Sequence, residues 1–447
     1  MREKKQTIKY LSLLFLGLIF FLGLHLRLTT VMESEVVNPI RADAKEYVVY
    51  AINLNKYGIY SRSTTGLNNT TPPIPDAARP PGYPLFLALF LDGSNVKDIT
   101  LTNILMVQAC LSALVVLFAY AIFSPLLGKS AAIVIASLIA MSPHLINANI
   151  YFLSETLFSV VLILFFWLLG KMGGQDDRPY LAVGLGILLA IASLTRPWLQ
   201  YFILLLIPLF FYSKDKTHRI KPILLLTLAF FLTMGIWQLR NFNSVGDTSN
   251  DSVLISSVLH GMYPNLMYQN NPESYGFPYR YDPNFPEIRR SLSTLLAEIM
   301  SRFENQTWAH FKWYLVGKPL NLFSWDYIQG MGDSFIYPVQ KSPYFTHNYF
   351  QWSHAFMKAI HTAIMSLAIL GSIMVWLPQK QHNISFHSLF ILRSISLLIG
   401  YFILIHILVA PLPRYSVPIR PLMYGLAIFP LLPILNRIGK KTMTTRR

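Results

Sequence analysis

Long apolar runs constrain this chain more than any other feature of its sequence. A helix that crosses a bilayer needs about 20 mainly apolar residues, and by that criterion the chain has about ten such runs. They lie near residues 10–28, 100–124, 130–148, 152–170, 180–196, 198–213, 222–240, 354–377, 387–410 and 417–435. The sequence therefore predicts an all-α polytopic membrane protein, with one transmembrane domain over residues 1–447.

The composition excludes the common soluble classes. The chain is 53% hydrophobic and only 13% charged, whereas soluble domains carry about 25% charged residues. Its net charge of +16 does not indicate nucleic acid, because nucleic-acid binders combine a basic face with an ordinary core. Membrane lipids are the expected partners. The single cysteine, Cys110, excludes an intrachain disulfide framework and favours a bacterial inner membrane.

Basic residues set the predicted orientation, because cytoplasmic loops are enriched in Lys and Arg. With a cytoplasmic N-terminus, the short outside turns carry only Arg196 and Arg414. The inside segments carry Arg2, Lys4, Lys5, Lys9, Lys129, Lys171, Arg178, Lys214, Lys216, Arg219, Lys221, Lys380, Arg437, Lys440, Lys441, Arg446 and Arg447. Both termini are therefore predicted to be cytoplasmic. Two long segments, 29–99 and 241–353, then form the first and second periplasmic loops.

Each periplasmic loop contains one amphipathic stretch. Residues 43–57 place Tyr47, Tyr50, Ala51, Leu54 and Tyr57 at three- and four-residue spacing, which predicts a short helix with one apolar face. The second stretch repeats this spacing with Ile288, Leu292, Leu295, Leu296, Ile299 and Phe303. We predict two interfacial helices that lie along the outer leaflet.

Three acidic residues occupy the predicted outer half of the molecule. Asp43 and Glu46 are three residues apart, so a helix places them on one face. Glu155 enters the fourth run, where an unpaired carboxylate costs about 2.5 kcal/mol or more. Asp43 could be a catalytic group or a carboxylate that favours the helix dipole. Glu155 could likewise have a catalytic task or serve as a structural anchor near the interface.

Arginines stand at the predicted outer ends of several helices. They are Arg196 in "SLTRPW", Arg240 in "WQLRNF", and Arg414 and Arg420 in "PLPRYSVPIRP". Guanidinium groups bind phosphate in a bidentate manner, so four at one level indicate a site for an anionic lipid. The alternative is that each one reaches the headgroups of bulk lipid.

Other chemical motifs are absent from the sequence. It has no Walker loop, no HExxH and no Gly-rich dinucleotide signature, and its histidines are scattered. No metal site and no cofactor follow from the spacing, although dependence on a divalent metal stays open. The segment "ARPPGYPLFLALF" must turn at its prolines, and Tyr83, Phe86 and Phe90 are its predicted membrane anchors.

Taken together, these segments resemble the GT-C superfamily of glycosyltransferases that use polyprenyl-phosphate sugars. The resemblance is to the bacterial branch similar to protein O-mannosyltransferases and the lipid A aminoarabinose transferase. The matching pieces follow the family order across most of the chain: "RADAKEYVVYAINLNKYGIYS", "RPPGYPLFLALF", "YFLSETLF", "SLTRPW", "GIWQLRNFNSVGD", "WYLVGKPLNLF" and "PLPRYSVPIRPLMYGLAIFPL".

The resemblance implies a function and a set of site residues. Asp43 in the first outer loop would be the catalytic base, while Glu155 and Glu46 would orient donor or acceptor. Many members pair an adjacent Asp-Glu, whereas Asp43 and Glu46 are separated here. The lipid phosphate would be bound by Arg196, Arg240, Arg414 and Tyr415.

The implied enzyme is an inverting hexosyl- or pentosyltransferase with a periplasmic active site, acting on the glycans of the cell envelope. It would transfer sugar from a polyprenyl phosphate to a hydroxyl or phosphate of a lipid, glycan or protein. An O-antigen-type ligase or polymerase and a secondary transporter are the alternatives. A transporter would place its ionisable residues near the bilayer midplane, whereas here they gather at the outer boundary.

Overall fold

The computed structural model describes residues 2–65, 71–91, 98–172, 178–211, 220–246, 251–328, 330–378 and 385–433. Part of the predicted inside charge lies outside these residues, namely Lys214, Lys216, Arg219, Lys380, Arg437, Lys440, Lys441, Arg446 and Arg447. The described chain is mostly helical.

The first half of the chain forms helices α1 to α10, with short 3₁₀ turns at Ala148–Ile150 and Pro197–Leu199. Their bounds are α1 Arg2–Glu33, α2 Ala42–Tyr57, α3 Gly82–Ala88, α4 Asp98–Leu127, α5 Lys129–Met141, α6 Pro143–Asn147, α7 Glu155–Lys171, α8 Pro179–Thr195, α9 Phe202–Phe211 and α10 Ile220–Val245.

The second half contains helices α11 to α20, which are shorter on average. Their bounds are α11 Asp251–Gly261, α12 Phe285–Ile288, α13 Leu292–Asn305, α14 Thr307–Lys312, α15 Lys318–Leu322, α16 Pro343–Thr346, α17 Asn348–Met374, α18 Phe386–Leu408, α19 Pro413–Ser416 and α20 Arg420–Ile428. A π-helical turn, Trp313–Gly317, joins α14 to α15.

Among the described residues, five helices are long and apolar enough to cross a bilayer: α1 (from Tyr10), α4, α10, α17 and α18. A sixth span results if α5 and the segment Pro143–Ile150 are counted together across their 51° bend. The bend follows from Pro143, because the residue before a proline avoids the helical region, and Ser142 is extended. These spans make the chain a multi-pass membrane protein.

Four of the predicted apolar runs correspond to shorter helices. These are α7 and α8, with 17 residues each, α9 with 10 and α20 with 9. Length and composition therefore support five or six spans, and the count of ten stays a prediction.

Close helix packing fixes the position of α8, whose C-terminal end carries part of the site. Gly186 faces α10 so closely that a Cβ there would lie 2.8 Å from the Cβ of Ala229 and 2.9 Å from the backbone nitrogen of Phe230. A glycine at this point lets the two helices approach backbone to backbone. The C-terminus of α8 is thereby held against α10.

A short two-stranded sheet joins the two long segments that the sequence predicts to be periplasmic. Strand β1 (Glu35–Val36) pairs antiparallel with β2 (Val339–Lys341), and Lys341 donates to Glu35 at 2.8 Å. Residues before α2 are therefore connected to residues that precede α17. This connection brings the two predicted loops together at one end of the helix bundle.

The first predicted amphipathic helix forms as α2, but the second is interrupted, because Ile288 ends α12 and α13 begins only at Leu292, after its cap residue Ser291. The apolar residues of α2 and α13 also have different surroundings. In α2, the side chains of Tyr47, Tyr50 and Ala51 are buried within the protein, so that face is covered by the chain itself. In α13, Leu295 is buried, while Leu296 is 48% exposed. The placement of these helices along the outer leaflet stays a prediction.

Candidate active site

Asp43 lies in the first turn of α2 and is held between two arginines. Its Oδ1 accepts a hydrogen bond from Arg79 Nη2 at 2.7 Å, and its Oδ2 accepts one from Arg414 Nη2 at 2.6 Å. The side chain of Asp43 is 23% exposed. Both carboxylate oxygens are therefore engaged, while part of the group can still be reached from outside the protein.

The two arginines control the ionisation of Asp43. Burial alone would raise the pKa of this carboxyl, but the charges of Arg414 and Arg79 outweigh burial and lower the pKa below its ordinary value. Conversely, burial disfavours the charged form of Arg414, and Asp43 more than compensates, so that the pKa of Arg414 is raised. Asp43 is thus an ionised carboxylate at neutral pH.

Glu46 belongs to the same group of charges. Its Oε2 accepts a hydrogen bond from Arg79 Nε at 2.5 Å, and Arg62 Nη1 lies 3.8 Å from its Oε1. Asp43 and Glu46 therefore share one guanidinium, which confirms that their spacing puts them on one face of a helix. Glu46 is connected to Asp43 through Arg79.

A second, more deeply buried ion pair joins α7 to the end of α8. Glu155, the first residue of α7, is 3% exposed, and its Oε1 lies 2.5 Å from Arg196 Nη2. Arg196 follows directly after α8. The buried carboxylate thus has the partner that its position required. Its other oxygen, Oε2, has no hydrogen-bond partner within the described residues.

Tyr415 joins the two ion pairs. The Arg196 guanidinium lies 5.4 Å from the centre of its ring, and that of Arg414 lies 5.3 Å from the same centre. Both distances are typical of cation–π contacts. Five residues named from the sequence, Asp43, Glu46, Glu155, Arg196 and Arg414, therefore lie in one continuous cluster around Tyr415 and Arg79.

Comparison with known proteins fits this arrangement of helices and outer loops. Residues 78–262 match the model of the family described as dolichyl-phosphate-mannose-protein mannosyltransferase. The structure of the Archaeoglobus fulgidus oligosaccharyltransferase tethered to an acceptor peptide aligns with a TM-score of 0.50 at 13% identity, over 94% of this chain and 49% of that one. The matched region is less than half of the chain, so the chain is similar to this family over residues 78–262 and shares its fold with the oligosaccharyltransferase.

Two further structures align with this chain at lower TM-scores. AglB from Archaeoglobus fulgidus, in complex with an inhibitory peptide and a dolichol-phosphate, has a TM-score of 0.48 at 15% identity, covering 97% of this chain and 52% of that one. ArnT from Cupriavidus metallidurans, bound to undecaprenyl phosphate, has a TM-score of 0.37 at 12% identity, covering 93% and 77%.

The extent of these similarities limits what they show. The chain spans about half the length of the archaeal oligosaccharyltransferases that it matches. No curated protein matches the sequence significantly. The alignment with the tethered oligosaccharyltransferase therefore shows the fold of this chain alone, and its site has to be argued from its own residues.

Arg240 has a different environment from the other predicted phosphate ligands. Its guanidinium donates to the carbonyls of Asp76 at 2.7 Å and Tyr60 at 2.8 Å, and it lies 5.2 Å from the ring centres of Tyr60 and Trp237. These contacts tie the end of α10 to the first outer loop. They place Arg240 beside backbone carbonyls, and none of them reaches Asp43 or Glu155.

Arg420, which the sequence grouped with the outer arginines, is completely buried. It donates to the carbonyl of Ser324 at 3.0 Å. Its Nε and Nη1 have no acceptor within the described part of the chain.

Arg79 is the main residue of this cluster that sequence analysis did not assign. It stands in "RPPGYP", a segment interpreted above only as a turn and a membrane anchor. The sequence did carry one signal for Arg79. It stands next to prolines that stop a helix, and such an arginine is fixed in a loop close to the acidic helix. Tyr83, a predicted anchor, is buried and donates to Gln108 at 2.6 Å.

Gly82 brings the two halves of the cluster together. A Cβ on Gly82 would lie 2.8 Å from both the Cα and the nitrogen of Thr195, the residue before Arg196. Only a glycine allows α3, and with it Arg79, to pack directly against the end of α8.

We expect Gly82→Ala to lower both the stability and the activity of this protein. Overpacking at a rigid contact costs about 1–3 kcal/mol, and here the strain falls between Arg79 and Arg196. Thermal unfolding of the detergent-solubilised protein measures the stability. Gly235→Ala is the matched control, since a Cβ there meets nothing within 4 Å. Equal melting temperatures for the two variants would contradict this role of Gly82.

An open cavity of about 720 Å³ lies beside the Glu46 end of the cluster. Its lining includes Glu46, Arg62, Ser61, Ser63 and Asp76. Asp76 is already engaged by Tyr50 and by the backbone nitrogens of Arg62 and Ala78. The rest of the lining includes the apolar residues Ala42, Val49, Ile74 and Pro75, so the cavity presents both polar and apolar surface.

Metal binding has no geometric support among the described residues. Nowhere in that part of the chain do three or more His, Cys, Asp or Glu side chains form a group that could hold a metal ion. The chemistry available from the site itself is a carboxylate base surrounded by guanidinium groups.

Proposed function

We propose that this protein is an inverting glycosyltransferase that moves a sugar from a polyprenyl phosphate to a hydroxyl or phosphate of an acceptor. The observation that carries the proposal is the placement of Asp43 between Arg79 and Arg414, with the Glu155–Arg196 pair joined to it through Tyr415. The family match and the GT-C fold support a lipid-linked donor in general.

Asp43 acts as the general base in this proposal. As the acceptor oxygen attacks the anomeric carbon of the sugar, its proton passes to the carboxylate of Asp43. The bond between that carbon and the donor phosphate breaks, and its electron pair stays on the phosphate. A single displacement of this kind inverts the anomeric centre, through an oxocarbenium-like transition state.

Arg196 and Arg414 stabilise the departing phosphate. The Nε atoms of both side chains are buried and have no acceptor within the described residues, so each guanidinium has donor capacity to spare. Preorganised donors of this kind favour the charge that develops in the transition state. Tyr415, which both guanidinium groups contact, keeps the two side by side.

Donor binding also strengthens the base. A lipid phosphate competes with Asp43 for Arg414, because both anions prefer the same guanidinium. When Arg414 turns toward the phosphate, Asp43 loses one of the two charges that lower its pKa. The carboxylate then becomes a better proton acceptor when the donor is in place.

The acceptor enters through the open cavity beside Glu46. Glu46 orients its hydroxyl or phosphate group there, while Glu155 keeps Arg196 aimed at the donor. The site faces the periplasm of a bacterial inner membrane, and both termini are cytoplasmic. The acceptor is a lipid, a glycan or a protein of the cell envelope.

Mass spectrometry of envelope lipids, glycans and proteins tests the function. Cells that lack the gene are complemented with the wild type or with Asp43→Asn, and the two are compared at equal protein levels in the membrane. We expect one class of molecule to lose a sugar in the Asp43→Asn cells. Identical spectra would overturn the transferase proposal.

A further inference from the structure

Arg27 of α1 is completely buried and has no carboxylate among the ion pairs of the described residues. Its Nη1 donates to the carbonyls of Gly23 at 2.9 Å and Ala140 at 3.2 Å, and its Nη2 donates to that of Ile139 at 3.1 Å. Ile139 and Ala140 lie in the last turn of α5, where carbonyls lack partners within the helix and a cation complements the dipole. Arg27 therefore closes the C-terminus of α5.

A further donor of Arg27, its Nε, sets the direction of a buried hydroxyl. Arg27 Nε donates to Ser112 Oγ at 2.9 Å. Because the serine oxygen accepts this bond, its own proton is left to donate elsewhere. Ser112 is buried in α4.

That hydroxyl lines a small cavity, which it shares with Glu155. The cavity has a volume of about 10 Å³, about what one water molecule requires. Arg27, Ser112, Glu155, Thr156 and Ser159 are its polar lining residues, and all five are buried. Glu155 Oε2 is the carboxylate oxygen left without a partner in the described chain.

The other two hydroxyl groups of the lining use their protons in other directions. Thr156 Oγ1 donates to Asn149 Oδ1 at 3.3 Å, and Ser159 Oγ donates to the carbonyl of Pro418 at 3.1 Å. Both can still accept a hydrogen bond. Ser112 is therefore the hydroxyl of this lining that has a proton to offer.

We infer that this cavity binds one water molecule, which accepts a hydrogen bond from Ser112 and donates one to Glu155 Oε2. Its second proton has the lone pairs of Thr156 and Ser159 as acceptors, and three bonds are typical of a buried water. The effect of this water on donor binding, unlike the water itself, rests on the proposed function. By engaging Oε2, the water keeps the Glu155 carboxylate turned so that Oε1 holds Arg196, which makes Ser112 and Arg27 positioning residues.

Cryo-electron microscopy of the full chain in lipid nanodiscs tests the water directly, at a resolution that shows ordered solvent. We expect density within hydrogen-bonding distance of both Ser112 Oγ and Glu155 Oε2 in the wild type, and none in Ser112→Ala. A wild-type cavity without density would overturn the inference. This measurement needs no substrate, so it is independent of the proposed function.

The positioning role is tested by the affinity for undecaprenyl phosphate, measured on Ser112→Ala, Glu155→Gln and the double variant. We expect Ser112→Ala to weaken binding by about tenfold and to have no further effect when Glu155 is already Gln. Additive losses would show that Ser112 does not act through Glu155.

Ser394→Ala is the matched control for this cycle. Ser394 is a buried serine of α18 whose hydroxyl donates to the carbonyl of Phe390 at 2.9 Å, and we expect unchanged affinity. A wild type that shows the water but does not bind undecaprenyl phosphate would refute the proposed function and leave the water in place.

Discussion

Replacing Asp43 by asparagine is expected to reduce the rate of sugar transfer by about 10³-fold, within the range for loss of a general base. The amide has nearly the shape of the carboxylate, but it cannot take the acceptor proton and it presents no charge to Arg79 and Arg414. Rates are measured on protein in nanodiscs, with the donor and acceptor that the envelope comparison identifies. Full activity in this variant would remove Asp43 from the role of base.

Glu46→Gln is the control for Asp43→Asn. It lies one helical turn away and shares Arg79, so it perturbs the same ion-pair chain without removing the base. We expect a much smaller loss of rate, expressed mainly as a higher KM for the acceptor. If both variants lose the same activity, disruption of the Arg79 contacts, and not the loss of a base, accounts for the effect.

Removal of Arg414 is expected to have the second largest effect. Arg414→Ala takes away one charged donor from the proposed phosphate site, and hydrogen bonds to charged groups contribute about 1.5–3 kcal/mol. The affinity for undecaprenyl phosphate should therefore fall by roughly 10- to 100-fold. Isothermal titration calorimetry in nanodiscs measures it.

The same variant should change the pH dependence of transfer. Arg414 and Arg79 lower the pKa of Asp43, so Asp43 stays ionised to a lower pH in the wild type than it would without these two arginines. Without Arg414 the pKa of Asp43 in the donor-free enzyme rises, so kcat/KM should be lost at a higher pH as the solution is acidified. If the acidic side of the pH profile of Arg414→Ala stays at the wild-type pH, Arg414 does not contribute to the ionisation of Asp43.

The Arg240→Ala variant tests whether Arg240 binds the lipid phosphate or holds the segment that contains Tyr60 and Asp76. Its guanidinium donates to the carbonyls of Tyr60 and Asp76. Its removal leaves the Asp76 carbonyl without this donor, while the Tyr60 carbonyl keeps its bond from the backbone nitrogen of Asp76. From these contacts we expect Arg240→Ala to lower the thermal stability with little change in affinity for undecaprenyl phosphate. A loss of affinity as large as that of Arg414→Ala would instead support the phosphate role that the resemblance implies.

The local part of the site could be predicted from the sequence. Asp43 and Glu46 are three residues apart, and helical spacing alone puts them on one face. Glu155 at the start of an apolar helix required a partner on energetic grounds, and the structure supplies Arg196. These inferences needed only the helical period and the cost of an unpaired charge.

Long-range partners could not be predicted in this way. Arg79 reaches Asp43 from a loop 36 residues further along the chain, and no pattern specifies which carboxylate a loop arginine will meet. Arg240 looked equivalent to Arg414, yet its acceptors are backbone carbonyls, which every residue carries. The number of membrane spans could not be predicted from hydropathy alone either. Hydropathy reports composition, whereas prolines such as Pro143 decide where helices end.

The Asp43–Arg414 contact joins residues 371 positions apart in the chain. During synthesis at the membrane, Asp43 emerges early and can meet Arg79 soon afterwards, but Arg414 follows only after nearly all the long apolar helices have been inserted. The cluster is therefore completed last, by the turn that carries Arg414. A partly inserted chain lacks Arg414 at Asp43, so under the proposed function transfer activity would itself report that biogenesis has been completed.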